Sequence, residues 1–393
     1  MKLEYVHRKP QGSVSEDFNV KHAELTKKFH ETMIGYEETP LIRLDKLSQF
    51  LNVKGIFIKD EAPRFGLNSF KGLGGSYCLF RKLSEKLGAA DLKTFEELRR
   101  LVRDSHSDLT VISATDGNHG RGLAWMCSLL GLRCVILLPG GSSEERFENI
   151  RKLGADVSRT DVNYDKTVEE ALRLSKENGW LMVQDTALED MEDVAVLIMQ
   201  GYLTMAFEAA AQLGQDKPTH IFLQAGVGSM AGSLCAFFSS LYADNPPAIT
   251  IVEPKSADCV YETARINDGD LHTATGDLET IMAGLSCGVP CSVGWDQIKA
   301  SASHFLRIEE SVAATGVRVL SSPLEGDKRV LAGESGASAF GAAFELLSGK
   351  KEYANICEQM GLNEESKILF FNTEGITDRR SFLQIVWDGK YPR

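Results

Sequence analysis

The sequence lacks the features that define several broad classes of protein. No run approaches the roughly 18 consecutive apolar residues of a membrane-spanning helix. The first residues, Met1 to Arg8, contain no apolar signal core. Eight cysteines spread over 393 residues, with no Cys-x-x-Cys pair, fit neither a disulfide framework nor a structural zinc site. These absences predict a cytoplasmic protein with no membrane segment and no metal.

The chain is also poorer in basic than in acidic residues. It has 43 Lys and Arg against 55 Asp and Glu, which gives a formal net charge of −12. Bulk charge of this sign does not attract nucleic acid or an anionic membrane, although backbone amides can still hold an anion locally. With 43% hydrophobic residues the composition is that of a globular protein, and the length predicts about two or three domains.

Strand-like apolar runs alternate with helical patterns in two stretches of the chain. Ser142 with Glu145, and separately Asp165, are predicted to cap two of the helices. Strand–helix–strand alternation implies parallel sheets flanked by helices. We therefore expect an α/β fold with two open sheets, with the charged stretch 82–108 as a helical insertion between them. The predicted strands are residues 109–113, 133–138, 180–184, 221–224, 248–252 and 366–371.

A lysine in a glycine-rich segment is the first candidate for chemistry. Residues 68–75 (NSFKGLGG) place Lys71 between an aromatic residue and several glycines. Glycines allow another group to approach the backbone closely. A lysine partly desolvated in this way has a lowered pKa and can form a Schiff base. The alternative is a solvated surface lysine on a glycine loop.

Two turns after predicted strands carry acids. Residues 114–122 (ATDGNHGRG) bring Asp116 and His119 to a helix N-terminus, where the helix dipole favours anionic groups. Asp116 is therefore expected to be ionised unless it only caps the helix, and His119 is expected to be a structural hydrogen-bonding residue. Asp185, in residues 184–187 (QDTA), is a candidate acid or base or an ordinary turn residue.

A glycine-rich turn is the candidate anion site. The consecutive amides of residues 226–232 (GVGSMAG) open a predicted helix and would hold a phosphate, unless the glycines serve only tight strand–helix packing. A dinucleotide site competes, with Glu253 placed to bind a ribose hydroxyl. The G-x-G-x-x-x-G spacing does not match the usual dinucleotide fingerprint, however. Thr373, in residues 371–375 (FNTEG), either presents a hydroxyl to a ligand ring nitrogen or caps a turn.

The order of these motifs resembles that of the fold-type II pyridoxal-phosphate enzymes, which include threonine dehydratases and serine racemases. Thr39-Pro40-Leu41 comes first, followed by Ser-Phe-Lys-Gly at 69–72, the Gly-Asn-His-Gly turn and the glycine-rich turn. The longer segments at 114–122 and 184–187, with AGLSCG at 283–288 and NTEG at 372–375, are similar to the diaminopropionate ammonia-lyases within that family. The resemblance extends from about residue 36 to residue 378.

The resemblance implies a pyridoxal 5'-phosphate cofactor whose Schiff-base lysine is Lys71. Phe70 would lie against the pyridine ring, Asn118 would donate to the phenolic oxygen, and Thr373 would face the pyridine nitrogen. The implied architecture is similar to tryptophan synthase β. A large domain would comprise residues 1–85 and 191–393, with a small α/β domain, 86–190, nested within it; a homodimer is also implied. The phosphate would be held by the backbone amides of Gly226, Val227, Gly228, Ser229 and Met230.

One departure from the wider family bears on the activity. Threonine dehydratases usually have Ser-Ser-Gly-Asn-His where this chain has Thr115-Asp116-Gly117-Asn118-His119. A carboxylate can serve as a base on the cofactor face opposite Lys71 and can attract a substrate ammonium. The resemblance to the ammonia-lyases implies that both Asp116 and Asp185 lie in the active site. The implied reaction is α,β-elimination of D- or L-2,3-diaminopropionate to pyruvate and two ammonia. Lys71 would take the proton from the L-isomer and Asp116 from the D-isomer.

Several alternatives remain open from the sequence. Within the same fold, the chain would be a serine/threonine dehydratase or a racemase. From other classes, it would be a nicotinamide-dependent oxidoreductase using residues 226–232 and Glu253, or a non-catalytic protein that binds pyridoxal phosphate. A redox-sensitive pair of Cys259 and Cys287 near the cofactor is a further alternative, against the usual inertness of buried thiols.

Overall fold

The computed structural model describes residues 1–105, 108–187 and 191–393. Within these ranges the strands are Leu3–His7 (β1), Leu41–Arg43 (β2), Gly55–Asp60 (β3), Thr110–Ala114 (β4), Arg133–Leu138 (β5), Asp156–Arg159 (β6), Leu181–Met182 (β7), His220–Gln224 (β8), Ala248–Pro254 (β9), His304–Ile308 (β10) and Lys367–Asn372 (β11). The helices are Val20–Glu31 (α1), Asp45–Phe50 (α2), Lys71–Lys86 (α3), Phe95–Asp104 (α4), Asn118–Leu130 (α5), Glu144–Arg151 (α6), Tyr164–Asn178 (α7), Glu192–Leu213 (α8), Ser229–Leu241 (α9), Cys259–Ile266 (α10), Ser292–Ser301 (α11), Glu310–Ser321 (α12), Glu334–Leu347 (α13), Ala354–Met360 (α14) and Arg379–Val386 (α15).

The larger sheet has seven strands in the order β1-β10-β9-β8-β11-β3-β2. Its five inner strands are parallel, while β1 and β2 pair antiparallel at the two edges. Successive side chains of a strand point to opposite faces. Ile221 and Leu223 accordingly pack into a core that includes residues of α8 and α9. Phe222 packs on the other face with residues of α12 and α13.

The smaller sheet has four parallel strands in the order β6-β5-β4-β7. The expected α/β architecture with two helix-flanked sheets is confirmed. Two predicted caps were wrong, because the capping side chains are Ser143, which accepts from the amide of Arg146, and Asn163, which accepts from Lys166. Glu145 does not close a capping box; it accepts from the amide of Arg379 instead.

The two sheets use separate parts of the chain. The smaller sheet lies within residues 110–182, and the larger one uses residues 3–60 and 220–372. The charged stretch 82–108 provides the end of α3 and all of α4, although residues 106 and 107 lie outside the described part. The predicted boundary at residue 190 also lies outside the described residues, and the domain division stays a prediction.

Helix α3, which begins at Lys71, is held between α5 and α8 by close backbone contacts. A Cβ on Gly122 of α5 would lie 2.9 Å from the amide nitrogen of Gly72. A Cβ on Gly201 of α8 would lie 2.5 Å from the carbonyl oxygen of Leu73. Gly72 and its neighbours therefore serve helix packing. The close approach to the backbone that these glycines were expected to allow is made here by the neighbouring helices.

Helix α8 is long and apolar enough to cross a membrane by length and composition alone. In the fold, 72% of its apolar window is buried, and it packs against α1, α3 and α9. It contains no run of about 18 consecutive apolar residues, as the sequence indicated, since Gln200 and Glu208 interrupt it. Its apolar character is accounted for by a core position.

Candidate active site

A cavity lies at the carboxyl ends of strands from both sheets, where open α/β sheets bind ligands. It is bordered by the segments that follow β4, β8 and β11, together with the first residue of α3. The structure brings every sequence-predicted site residue to its wall: Phe70, Lys71, Asp116, Asn118, Asp185, Gly226, Val227, Gly228, Ser229, Met230 and Thr373.

Lys71, which is partly buried, and Asp185, which is buried, form an ion pair in this cavity. The Nζ of Lys71 donates to Oδ2 of Asp185 at 2.5 Å, and Tyr164 donates to Oδ1 at 3.2 Å. Burial is the largest single influence and lowers the pKa of Lys71, but Asp185 and the other acidic groups nearby together outweigh it and the pKa is raised. Burial likewise opposes ionisation of Asp185, yet the charge of Lys71 holds the pKa of Asp185 below its usual value. The expected lowering of the lysine pKa was wrong because its partner was not foreseen.

Asp116 pairs with Arg146 of α6. The Nη1 atom of Arg146 donates to the carbonyl oxygen of Asp116 at 3.0 Å and to its Oδ2 at 3.4 Å. Burial raises the pKa of Asp116, while the charges of Arg146 and Lys71 act in the opposite direction. Gly117 is the N-cap of α5 and no side chain caps that helix. Asp116 is therefore not a helix cap, and burial is the largest influence on its pKa.

Asn118 is held by a carboxylate from the larger sheet. Its Nδ2 donates to Oε2 of Glu374, immediately after β11, at 2.5 Å. Glu374 also accepts from the hydroxyl of Thr377 at 3.2 Å and from the amide of Ser335 at 3.2 Å. His119 contacts the carbonyl oxygen of Val183 at 2.9 Å through Nε2, as expected of a structural hydrogen-bonding residue.

The glycine-rich turn leads from β8 into α9 and is suited to an anion. Gly228 has a φ of 94°, a conformation that favours glycine. A Cβ on Gly226 would lie 3.2 Å from the carbonyl oxygen of Gly284 and 3.3 Å from Sγ of Cys287. The amides of residues 226–230 find no acceptor among the described residues. Free amides at a helix N-terminus fit a phosphate group.

Thr373 presents a neutral hydroxyl at the end of β11. Its Oγ1 accepts from Nε2 of Gln224 at 2.7 Å, and the same nitrogen contacts the carbonyl oxygen of Phe371 at 2.9 Å. The amide of Phe70 donates to the carbonyl oxygen of Thr373 at 3.1 Å, and the Phe70 ring centroid lies 5.4 Å from Nζ of Lys71. Lysine, aromatic ring and hydroxyl therefore border one space.

Glu253 is used inside the fold. Its carboxylate accepts from the amides of Val260 and Tyr261 at 3.0 and 2.5 Å and is buried. It therefore satisfies the first turn of α10 and is not directed towards a ligand ribose. The position of Glu253 therefore no longer supports a nicotinamide cofactor.

Cys259 and Cys287 are free and buried thiols. Cys287 lines the cavity, and the thiol of Cys259 lies 3.7 Å from the carbonyl oxygen of Gly226. Burial raises the pKa of both thiols well above the usual value, which favours the unreactive protonated form. No metal-binding group of His, Cys, Asp and Glu is found in the described ranges.

Sequence reasoning missed the residues that hold the predicted ones in place. Tyr164, at the start of α7, carried no signal, because a tyrosine at a helix start is unremarkable. Glu374 lies in the 371–375 motif, and its position directly after a predicted strand could have indicated a site residue. Residues with no assigned role that line the cavity or contact its members include Arg146, Tyr164, Gln224, Gly284, Leu285, Ser335 and Glu374.

Comparison with known proteins agrees with this geometry. The family model "Pyridoxal-phosphate dependent enzyme" matches residues 33–357, and the chain belongs to this family. It is 41% identical over 384 residues to the diaminopropionate ammonia-lyase of Escherichia coli (strain K12), covering 97% of this chain and 95% of that protein. It is 42% identical over 383 residues to the same enzyme of Salmonella typhimurium, covering 95% of this chain and 93% of that one.

The similarity extends to the three-dimensional fold of a solved structure. The Escherichia coli diaminopropionate ammonia-lyase, in complex with an aminoacrylate-PLP azomethine reaction intermediate, matches with a TM-score of 0.91 at 39% identity, covering 99% of this chain and 98% of that chain. The family resemblance inferred from the sequence motifs is confirmed, and so is pyridoxal phosphate as the cofactor.

Proposed function

We propose that this chain is a lyase that uses pyridoxal phosphate to remove the β-amino group of 2,3-diaminopropionate, with water, to give pyruvate and two ammonia. The observation that carries the proposal is the meeting of Lys71, Asp185 and Asp116 in one cavity beside a turn of free amides. The identity of 41% and 42% to two diaminopropionate ammonia-lyases, over nearly the whole chain, supports the choice of substrate.

The residues present fit the cofactor. We assign its phosphate to the free amides of residues 226–230, its aldehyde to the amine of Lys71, its ring to Phe70 and its ring nitrogen to Thr373. Asn118 donates one amide hydrogen to Glu374, which leaves the second for the phenolic oxygen. When bound, pyridoxal phosphate supplies an electron sink for negative charge at the substrate Cα.

The side chains of the chain itself move the protons. The amine of Lys71 takes the Cα proton of the L-isomer, and the carboxylate of Asp116 takes that of the D-isomer. Asp185, ionised and in contact with the amine of Lys71 at 2.5 Å, orients the departing β-ammonium. The unsaturated product then takes up water, releasing the second ammonia and pyruvate.

The charges beside the site suit a substrate with a second ammonium group. A second cavity of about 780 Å³ shares Asp116 and Tyr164 with the first. Arg146 is the one basic residue among the described residues of its lining. Opposite charges attract, so this lining favours diaminopropionate over serine, which lacks the second amine. The acidic residues of that lining are Asp116, Asp161, Asp277, Glu279, Glu310, Glu334 and Asp378.

A substrate panel tests the proposed activity. The holoenzyme is supplied with both isomers of diaminopropionate, both isomers of serine and L-threonine, and pyruvate, ketobutyrate and ammonia are measured. We expect diaminopropionate to be the best substrate, with two ammonia for each pyruvate. Faster turnover of serine or threonine would indicate a dehydratase, and interconversion of isomers a racemase. A borohydride-sensitive visible band without any product would indicate a binding protein.

A substitution at Gly228 tests the phosphate site. Gly228→Val is expected to weaken cofactor binding by about tenfold or more, equivalent to ~1.4 kcal/mol, because a φ of 94° is strained for valine and its Cβ would lie 3.2 Å from Cδ1 of Ile298, so that the turn must shift. Gly326→Val is the matched control, since Gly326 has a φ of 99° in a turn against Lys46. Cofactor titration and a thermal melt are run on both variants. Equal affinities in the two variants would place the phosphate elsewhere.

We also propose that the chain works as a cytoplasmic homodimer, in two domains with the predicted bounds and without nucleic-acid or membrane partners. The net charge of −12 supports the absence of nucleic acid, and the motif resemblance supports the dimer. Light scattering on the holoenzyme is expected to give twice the 43.2 kDa of one chain.

A further inference from the structure

Arg146 is a buried arginine to which the proposed reaction gives no role. Its side chain is 7% exposed, and it reaches Asp116 at both the carbonyl oxygen and the carboxylate. A Cβ on Gly117 would lie 3.1 Å from Cδ of Arg146, so the aliphatic part of the side chain packs against the residue next to Asp116. The arginine therefore controls both the position of Asp116 and the charge that it faces.

Arg146 also joins the Asp116 turn to the segment after β11. Its Nη2 donates to Oγ1 of Thr377 at 3.3 Å. Thr377 in turn donates to Glu374, which accepts from Asn118. One side chain of α6 thus connects a candidate base with the residue assigned to the phenolic oxygen of the cofactor.

The balance of charge around Asp116 depends on this arginine. Lys71 is the other cation that acts on Asp116, and Lys71 is already paired with Asp185. Without Arg146, the buried Asp116 would face mainly negative groups, which disfavour its ionised form. The titratable and charged groups around the pair are Lys71 of α3, Tyr164 of α7, Asp185 after β7, Cys287, Glu334 of α13, Glu374 after β11 and Asp378.

We propose that Arg146 is a positioning residue that keeps Asp116 ionised and directed into the active-site cavity, and that it thereby enables use of the D-isomer. The inference rests on the proposed function, since it needs Asp116 as the base for that isomer. An opposite charge within about 4–6 Å typically lowers the pKa of a carboxyl by roughly 1–3 units. Arg146 lies within this distance of Asp116.

The test is the pH profile of kcat/KM for each isomer with the holoenzyme. Arg146→Gln and Arg146→Met both remove the charge. The pH profiles are measured on whichever variant unfolds cooperatively and shows full cofactor absorption. We expect the acidic limb of the D-isomer profile to move to higher pH by about 1 unit or more, with a smaller movement for the L-isomer. Arg146→Lys, which keeps the charge, is expected to restore most of the D-isomer limb.

Arg151→Met is the matched control, because Arg151 lies on the same helix, is exposed and pairs with Glu148. It should leave both profiles unchanged. An unmoved acidic limb for the D-isomer in a folded Arg146 variant, or equal movement for both isomers, would overturn the proposal. So would a Lys variant that behaves like the neutral ones. If the parent enzyme turns over neither isomer, the proposed function itself has failed.

Discussion

Lys71→Ala is expected to abolish turnover of both diaminopropionate isomers and to remove the visible absorption band that borohydride bleaches in the parent. A Schiff base needs a primary amine, and the structure places the amine of Lys71 in the cavity with the other site residues. Loss of its general-base role alone is worth roughly 10²–10⁴-fold in rate. Absorption spectra, pyruvate release and cofactor retention after borohydride treatment measure the effect.

The same substitution has a consequence for stability that depends on pH. Asp185 has a pKa held below its usual value, so its pairing with Lys71 stabilises the fold above the unfolded-state pKa of an aspartate. That contribution is lost as the pH falls through the folded-state pKa. Lys71 has a raised pKa, so its contribution is complete below the unfolded-state value and is lost as the pH rises through the folded-state value. Without cofactor, Lys71→Ala should therefore be less stable than the cofactor-free parent, chiefly near neutral pH.

Lys71→Arg separates the two roles of the lysine. A guanidinium keeps the positive charge beside Asp185 but cannot form the Schiff base. We expect it to lack activity and the reducible band while melting closer to the parent than Lys71→Ala does at neutral pH. A reducible, covalently attached cofactor in either variant would show that another lysine carries it.

Six strands, β4, β5, β7, β8, β9 and β11, were predicted because local signals agree there, but the inner parallel strands β3 and β10 were missed. β4 and β5 are short runs rich in apolar residues on either side of a glycine-bearing turn and a helix, and both strands were predicted within a few residues. The edge strands β1, β2 and β6 were also missed, because β2 and β6 have only three and four residues and β1 has mixed burial without clean alternation. Antiparallel pairing at a sheet edge depends on neighbours that are distant in sequence, such as β10 for β1.

The identity of the site residues was predictable from motifs, but their partners were not. Lys71 and Asp185 are 114 positions apart, and Asn118 and Glu374 are 256 apart. Neither separation leaves a periodic signal in a single sequence. The sign of the lysine pKa shift followed from one of these unseen contacts. A motif thus indicates which side chain carries the chemistry, while the fold decides its protonation.

The two acids of the site differ in surroundings in a way that separates their roles. Asp185 has a partner for each oxygen, Lys71 and Tyr164, and burial is overcome by charge. Asp116 has the longer 3.4 Å contact with Arg146, and burial prevails in its pKa. A carboxylate with a raised pKa is the better proton acceptor. Asp116 is therefore suited to be a base, and Asp185 to orient a cation.

Asp116→Asn is expected to lower kcat/KM for D-diaminopropionate by roughly 10²–10⁴-fold, the usual worth of a general base, while changing the value for the L-isomer far less. Asparagine keeps the shape of the side chain and can still accept a hydrogen bond from Arg146. The free energy of unfolding, followed by thermal melt, should therefore fall by no more than ~1 kcal/mol. Asp185→Asn is the comparison variant and should impair both isomers, because the β-ammonium leaves in either case. Kinetics of both variants on both isomers decide between these roles. Equal losses on the two isomers from Asp116→Asn would reject separate bases while leaving the lyase assignment intact.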